Sequence, residues 1–208
     1  MERHILAISG GGFSEVKNAL IDTYLLKLKR QERPLNIAFI ATASNDAQGY
    51  IEKFYEAFAN EHPSHITIQD FTRPDIQNYV NSLDILYVGG GNTSYLLKTW
   101  KETGFDEVVK QAYENGVILA GISAGAMCWF EHCYTQIDGD DQSVEGLGIL
   151  KGAFLPHANK YSACSFEAWG HAGNIAPLYA LEDEETIHFV NECHSLKLVE
   201  RMNNGDTV

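Results

Sequence analysis

The chain has 208 residues, of which 45% are hydrophobic and 21% charged, which suits one globular domain and is too short for two ordinary ones. Its 15 Lys and Arg residues are scattered and outnumbered by 28 Asp and Glu residues, which gives a formal net charge of −13. Nucleic acids and anionic membranes are bound by clustered positive charge, so we expect neither as a partner and predict one domain over residues 1–208.

Five apolar runs of strand length lie in the first 123 residues. Near-continuous Ile, Leu, Val and Ala indicates strands buried on both faces, as in a parallel sheet covered by helices. Residues 14–31 and 50–62 carry apolar side chains at helical spacing. This order predicts right-handed βαβ units and an open, doubly wound α/β sheet. The predicted strands are residues 4–9, 35–42, 65–70, 84–90 and 116–123.

The pattern changes after residue 130. Residues 133–150, "CYTQIDGDDQSVEGLGIL", are polar and rich in glycine, which predicts a loop or irregular excursion. A short apolar run in "GAFLPHANK", residues 152–160, is a further strand candidate. Residues 186–201 then have the pattern of a β-hairpin with "NECH" near its turn.

The cysteines and the N-terminus bear on the cellular location. Cys128, Cys133, Cys164 and Cys193 show no C-x-x-C spacing, so we expect reduced thiols, mostly packed as small apolar side chains. The N-terminus lacks a signal-peptide layout, and no apolar run approaches the roughly 18 residues of a membrane span. We therefore predict a cytoplasmic protein with no membrane partner.

Three of the predicted strands end in glycine, in "SGGGF" (9–13), "VGGGNTSYLL" (88–97) and "AGISAGAM" (120–127). The carboxyl ends of parallel strands meet at one edge of a sheet, and glycine lets a ligand or another backbone come close. These segments therefore predict a site at that edge. The first lacks a complete dinucleotide fingerprint and the second lacks the lysine of a phosphate loop, which argues against nucleotide binding.

The segment "GISAG" (121–125) matches G-x-S-x-G, with an apolar strand before it and a helix-like stretch after it. A serine at such a turn exposes its Oγ and leaves the next backbone N–H, that of Ala124, free to stabilise an oxyanion. In a chain with 18 glycines the motif also arises by chance. The "GGGN" loop favours catalysis by Ser123, because Gly90 or Gly91 would supply a second oxyanion donor.

A nucleophilic serine needs a base, which is usually histidine. His157 follows the apolar run of "GAFLPHANK" and would emerge at a strand end, which makes it the first candidate. His171, His188 and His194 are alternatives in weaker sequence contexts.

Taken together, the motifs resemble those of the peptidase E (aspartyl dipeptidase) and cyanophycinase family of serine peptidases. The resemblance rests, in chain order, on "VGGGNTSYLL", "GISAGAM", "GLGIL" leading into "FLPHANK", and "YALEDEETI" (179–187). It implies a three-layer α/β/α sandwich with a mostly parallel, flavodoxin-like sheet, related to class I glutamine amidotransferases with serine in place of the cysteine nucleophile. It covers nearly the whole chain.

The resemblance also implies roles for individual residues. Ser123 would be the nucleophile, His157 its general base and acid, and Gly90 with Ala124 the oxyanion donors. Asn92, with Gly91, would shape the loop that meets the substrate. In "ALEDEETI" the family register points to Asp183 as the acid that orients the histidine. The other candidate acids are Glu182, Glu184, Asp140 and Asp141.

One departure from the family concerns the substrate. Aspartyl dipeptidases of this group are expected to bind an acidic side chain with an arginine downstream of the histidine, because a guanidinium pairs with a carboxylate in two hydrogen bonds. No arginine occurs between Arg73 and Arg201, and Lys160 is the only basic residue shortly after His157. A strict preference for Asp is therefore doubtful, with Lys160 as the candidate substrate-binding cation.

The sequence thus predicts a serine peptidase of short peptides that needs no metal or organic cofactor, with a homodimer as one candidate assembly. Two alternatives remain at this point. One is a non-catalytic protein that binds a small ligand in the same cleft, and the other is an esterase or amidase of a non-peptide substrate.

Overall fold

The computed structural model describes residues 2–15, 19–29, 32–137 and 140–199, without the side chains of residues 135–137 and 140–142. The helices are α1 (Leu20–Leu28), α2 (Gln48–Ala57), α3 (Ile76–Asn81), α4 (Thr93–Thr103), α5 (Phe105–Glu114), α6 (Ala124–Met127) and α7 (Lys160–Ala172). The strands are β1 (His4–Ile8), β2 (Asn36–Ile40), β3 (His62–Ile66), β4 (Ile85–Val88), β5 (Ile118–Ile122), β6 (Phe130–Ile137), β7 (Asp140–Glu145), β8 (Leu150–Leu155), β9 (Leu178–Ala180), β10 (Glu185–Val190) and β11 (Cys193–Val199).

The main sheet has seven strands in the order β11-β10-β1-β5-β4-β2-β3. Strands β1 to β5 are mutually parallel, while β10 pairs antiparallel with both β1 and β11. Every residue of β4 and β5 is buried, because helices cover both faces of these central strands. The predicted doubly wound, mostly parallel sheet is confirmed.

Each face of the sheet has its own apolar core. On one face α1 and α2 pack against it, and Phe54 of α2 stacks on Phe39 with a distance of 4.9 Å between ring centroids. On the other face α3, α4, α5 and α6 contribute to a second core, which contains the fully buried Trp100 and Trp129. These layers confirm the predicted α/β/α sandwich.

The third strand is shifted from its predicted position, from residues 65–70 to His62–Ile66. It lies at the edge of the sheet, where Pro63 is tolerated because one side of an edge strand needs no ladder hydrogen bonds. After Ile66 the chain turns into a 3-10 helix, in which Thr67 and Asp70 form a reciprocal capping box. That capping ends the strand before the predicted boundary.

The prediction of a loop over residues 133–150 is wrong. Strands β6 and β7 pair antiparallel there, and β6, β8 and β9 complete a second sheet in the order β7-β6-β8-β9. Among the side chains of β6 that the structure describes, Phe130, Cys133 and Tyr134 are buried, whereas Glu131 is exposed and His132 is partly exposed. The sequence pattern therefore shows no continuous apolar run.

Other predicted elements agree with the structure. The strand in "GAFLPHANK" is β8, and the C-terminal hairpin is β10 and β11. The helices predicted over residues 14–31 and 50–62 are shorter, at α1 and α2. No helix in the described ranges is long and apolar enough to cross a membrane. The organisation of residues 1–208 as one domain stays a prediction.

The topology brings three glycine-containing segments to one edge of the sheet. Strands β1, β5 and β4 are adjacent and parallel, so the residues that follow them lie side by side at their carboxyl ends. These residues are Ser9–Gly12, Ser123 and Gly89–Asn92. The fold thereby places the predicted nucleophile between two glycine loops.

Candidate active site

Ser123 stands at the turn between β5 and α6, with φ 54° and ψ −116°. This is a backbone conformation that residues with a side chain rarely adopt. The flanking glycines make the turn possible by close packing. A Cβ on Gly121 would lie 2.0 Å from the Gly125 carbonyl oxygen, and one on Gly125 would lie 2.3 Å from that of Val88. The spacing of G-x-S-x-G therefore follows from steric contact between three backbone segments.

His157 contacts both Ser123 and Asp183. It follows β8, and its Nε2 lies 2.9 Å from the Ser123 Oγ. Its Nδ1 lies 2.5 Å from Oδ1 of Asp183, which stands in the turn between β9 and β10. A neutral imidazole with its proton on Nδ1 donates to Asp183 and leaves the Nε2 lone pair to accept the hydroxyl proton of Ser123. The three side chains thus form one continuous hydrogen-bonded line.

Among the candidate acids whose side chains the structure describes, Asp183 is the one whose carboxylate contacts His157. Glu182 and Glu184 flank it in the same turn, and Glu184 has φ 69°. Asp140 and Asp141 belong to β7, and their side chains lie outside the described part.

The backbone around Ser123 offers several N–H groups for an oxyanion. Within the described ranges the N–H groups of Ala124 and Gly91 have no hydrogen-bond partner. The Gly90 N–H donates to the Tyr50 hydroxyl at 3.4 Å, a long hydrogen bond. A Cβ on Gly90 would lie 3.2 Å from Cβ of Ser123, so this loop lies directly against the serine. The chemistry available there is stabilisation of a negative oxygen by backbone donors.

Ser9, which sequence reasoning missed, links the histidine and acid segments. It is fully buried at the end of β1, and its Oγ accepts a hydrogen bond from the His157 N–H at 2.8 Å. The same hydroxyl donates to the Leu181 carbonyl at 3.0 Å, two residues before Asp183. A serine that follows an apolar strand carries no motif, so only the contact between distant segments reveals it.

Gly10 lies against the acid. A Cβ at this position would stand 2.6 Å from Oδ1 of Asp183 and 3.4 Å from Cε1 of His157. The first glycine loop was predicted to line the site, and Gly10 gives that loop a specific role: it leaves room for the carboxylate beside the imidazole.

The predicted substrate-binding residues have the following positions. Gly91 has φ 140° and packs on the loop after β2, where a Cβ would lie 2.2 Å from the Ala43 carbonyl oxygen. Asn92 caps α4, since its Oδ1 accepts from the Tyr95 N–H at 2.9 Å. Lys160 is the exposed first residue of α7. Their part in substrate binding stays a prediction.

The alternative histidines lie away from Ser123. His188 is buried in β10, where it bonds to Nδ1 of His4 and to the hydroxyl of Tyr24, at 3.0 and 2.8 Å. Burial, with the charge of His4, lowers the pKa of His188 to about 4. His194 lies in β11, and His171 is exposed near the end of α7.

The buried thiols are not activated nucleophiles. Burial raises the pKa of Cys133 to about 12 and raises that of Cys128 well above its ordinary value, so both stay protonated near neutral pH. Cys164 and Cys193 are exposed free thiols. In the described part of the chain no group of three or more His, Cys, Asp and Glu side chains is placed to hold a metal ion.

A pocket of about 620 Å³ opens beside His157. Its walls come from the end of α6, from β6, from the end of β8 with Pro156, and from the first two turns of α7. Met127 and Pro156 connect it to the site, because Met127 lies one helical turn after Ser123 and Pro156 precedes His157. The pocket thus adjoins the site through these two residues, although Ser123, His157 and Asp183 do not themselves line it.

Comparison with known proteins identifies the family. The model of peptidase family S51 matches residues 5–197. The uncharacterized peptidase YgaJ of Bacillus subtilis is 40% identical over 195 residues, which are 91% of this chain and 84% of YgaJ.

Two solved structures share the fold. A peptidase E protein of Listeria monocytogenes superposes with a TM-score of 0.71 at 18% identity, over 97% of this chain and all of that one. A peptidase from an acI-B1 actinobacterium has a TM-score of 0.68 at 19% identity, over 91% of this chain and 84% of that one. With the family match, these findings confirm the predicted resemblance: the chain belongs to peptidase family S51 and is a serine peptidase.

Proposed function

We propose that this peptidase hydrolyses short peptides through an acyl-enzyme, with Ser123 as nucleophile, His157 as general base and acid, and Asp183 as the residue that orients the imidazole. The observation that carries the proposal is the hydrogen-bonded line from Asp183 through His157 to Ser123, with distances of 2.5 and 2.9 Å. Its members come from three separate segments, which a chance G-x-S-x-G match would not bring together.

In the first half of the reaction Ser123 Oγ attacks the scissile carbonyl while His157 Nε2 takes the hydroxyl proton. The tetrahedral intermediate collapses, the carbon–nitrogen bond breaks, and His157 gives the proton to the leaving amine. In the second half a water molecule attacks the acyl-enzyme, His157 again takes a proton, and Ser123 leaves with it. Asp183 accepts the Nδ1–H throughout and stabilises the transient imidazolium.

The oxyanion of each tetrahedral intermediate would be held by the Ala124 N–H and by a donor of the Gly90–Gly91 loop. Gly90 would give up its long hydrogen bond to Tyr50 for a charged acceptor, since hydrogen bonds to ions are the stronger ones. The Gly91 N–H, which has no partner among the described residues, is the neighbouring donor.

Short peptides are favoured as substrates by the size of the pocket beside His157. Its volume of about 620 Å³ is within the roughly 300–1,000 Å³ of small-ligand sites. We also propose a cytoplasmic location, which four cysteines present as free thiols support. A homodimer stays a prediction.

The test combines labelling with hydrolysis. A fluorophosphonate probe is expected to label the protein, and Ser123→Ala is expected to abolish labelling and to lower kcat for dipeptides about 10⁴-fold or more. Ser82→Ala, which removes an exposed hydroxyl, is the matched control and should change neither. Labelling that survives Ser123→Ala would disprove the assignment of the nucleophile.

Two outcomes would favour the alternatives. Labelling of Ser123 with hydrolysis of aryl esters but of no peptide would indicate an esterase. Tight binding of a small ligand with neither labelling nor hydrolysis would indicate a binding protein.

A further inference from the structure

We propose that the pocket beside His157 binds an uncharged, apolar side chain next to the scissile bond, so that the substrates are neutral rather than acidic short peptides. This inference rests on the proposed peptidase function and specifies its substrate class. Three observations support it. The pocket adjoins His157, its described lining residues carry no charge, and N–H groups at the start of α7 already have hydrogen-bond partners.

The position of the pocket is that of a side-chain subsite. Pro156 at its wall is joined to His157, and Met127 donates its backbone N–H to the Ser123 carbonyl at 3.0 Å. A peptide whose scissile carbonyl lies at Ser123 Oγ therefore has this pocket within reach of a side chain beside that carbonyl.

The lining carries no charge. Within the described part of the chain its residues are one Met, one Leu, one Pro, one Asn, two Tyr and two Ser. Lys160 lies next to Tyr161 in sequence but does not line the pocket. A carboxylate that entered would lose water without gaining a cation, in a chain with a net charge of −13, which disfavours Asp and Glu side chains.

The start of α7 does not replace the missing cation. A helix N-terminus binds anions through free backbone N–H groups. Here the Asn159 Oδ1 already accepts from the N–H groups of Tyr161 and Ser162, at 2.9 and 3.1 Å. The Ser162 hydroxyl is used as well, because it accepts from the Asn159 N–H at 2.9 Å and lies 3.2 Å from the Asn159 carbonyl oxygen. The N–H groups of Tyr161 and Ser162 and the Ser162 hydroxyl are therefore already engaged and do not form an anion site for a substrate carboxylate.

The apolar groups of the lining favour a hydrophobic occupant. Met127, Leu155 and Pro156 line the pocket, as does Tyr134, whose ring packs against Phe166 and Trp169. A leucine or phenylalanine side chain placed there removes apolar surface from water on both partners, which stabilises the bound peptide.

The first measurement is a dipeptide panel with the wild-type enzyme. One series varies the first residue (Leu-Ala, Phe-Ala, Asn-Ala, Asp-Ala) and the other varies the second in the same way. In the series that places its variable side chain in the pocket, kcat/KM is expected to be highest for Leu or Phe and lowest for Asp. Asn, which has the shape of Asp without its charge, should lie between them.

The second measurement introduces a cation. Ser165→Arg adds a guanidinium to the lining and should raise the ratio of kcat/KM for Asp to that for Leu by about tenfold or more. Cys164→Arg is the matched control, because Cys164 is the exposed neighbour that does not line the pocket. It should leave the ratio unchanged. Tyr161→Arg is a second test variant, since 85% of Tyr161 is exposed and its replacement should not impair folding.

Three results would overturn the inference. A wild-type preference for Asp over both Asn and Leu would do so while leaving the peptidase proposal intact. An unchanged ratio in folded Ser165→Arg and Tyr161→Arg would show that the pocket is not the subsite. Failure to hydrolyse any peptide of either series would refute the proposed function, and the inference with it.

Discussion

The two halves of the candidate site are held in different ways. The nucleophile half consists of Ser123, the α6 start and the Gly89–Asn92 loop, and it is fixed by backbone segments in van der Waals contact. The histidine half consists of His157 and Asp183, whose side chains are 44% and 65% exposed and are held by hydrogen bonds. Substitutions of the glycines in the first half are therefore expected to affect folding, and substitutions around His157 and Asp183 to affect catalysis.

The largest expected effect is on the nucleophile half. Gly125→Ala places a methyl group 2.3 Å from a backbone carbonyl, so the structure must shift, and we expect a loss of about 3 kcal/mol or more in the free energy of unfolding. Gly49→Ala is the control: Gly49 lies in α2 with open space around it, so this change should stabilise by about 0.5–1 kcal/mol. Chemical denaturation measures both. Equal stabilities would contradict the proposed steric role of Gly125.

In the histidine half, Gly10→Ala should lower catalytic activity while leaving the folded structure stable. The added methyl group displaces the Asp183 carboxylate, and we expect kcat to fall about 10²-fold with little change in the melting temperature. The check is a double-mutant cycle with Asp183→Ala. Gly10→Ala should cost little further activity once the carboxylate is gone, and a full additional loss would show that Gly10 acts through another group.

Lowering the pH tests how a buried histidine and an exposed histidine differ in their effect on the free energy of unfolding. The pKa of His188 in the folded protein, about 4, lies below that of an unfolded histidine. Between these values the unfolded chain binds more protons, so stability falls as the pH falls. From about pH 7 to pH 5 the loss from His188 should be about 2 kcal/mol.

The measurement is the denaturation midpoint against pH. His188→Gln should flatten the curve over that range, while His171→Gln, at an exposed position, should not. If His188→Gln leaves the slope unchanged, other groups cause the acid sensitivity.

The smallest expected effect on activity is at Ser9. Ser9→Ala removes the hydroxyl that connects the His157 N–H with the Leu181 carbonyl, and we expect kcat to fall about tenfold with KM almost unchanged, at a stability cost of about 1–3 kcal/mol. Ser64→Ala is the control. Ser64 also accepts one hydrogen bond, from Tyr79, and donates one to a backbone carbonyl, but in β3, far from the triad in the sheet. It should lower stability without a specific loss of kcat.

Sequence patterns predicted the strands and motifs that are determined by residues close together in the chain. The parallel strands follow from apolar runs, and Ser123 with Ala124 follows from a motif whose spacing is a local steric requirement. His157 was the first candidate base because it follows a predicted strand, but the choice of Asp183 relied on the family resemblance, because it stands in a turn between β9 and β10, which belong to different sheets. Ser9 carried no motif and Gly10 was predicted only as part of a glycine loop at the site, since their contacts with His157 and Asp183 depend on segments distant in the chain.

The hairpin of β6 and β7 was missed for a related reason. Its pairing is satisfied by backbone hydrogen bonds, and its sequence is as polar as a loop. The pocket beside His157 was equally hidden, because α6, β6, β8 and α7 each contribute only one to three residues to its walls.

The backbone angle at Ser123 has a consequence for the stability of the whole protein. A residue with a side chain at φ 54° and ψ −116° carries strain of about 1–3 kcal/mol, which glycine would largely relieve. Ser123→Gly should thus be more stable than the active protein and catalytically dead. The requirement for a nucleophile at this turn therefore opposes the residue that stability alone would favour.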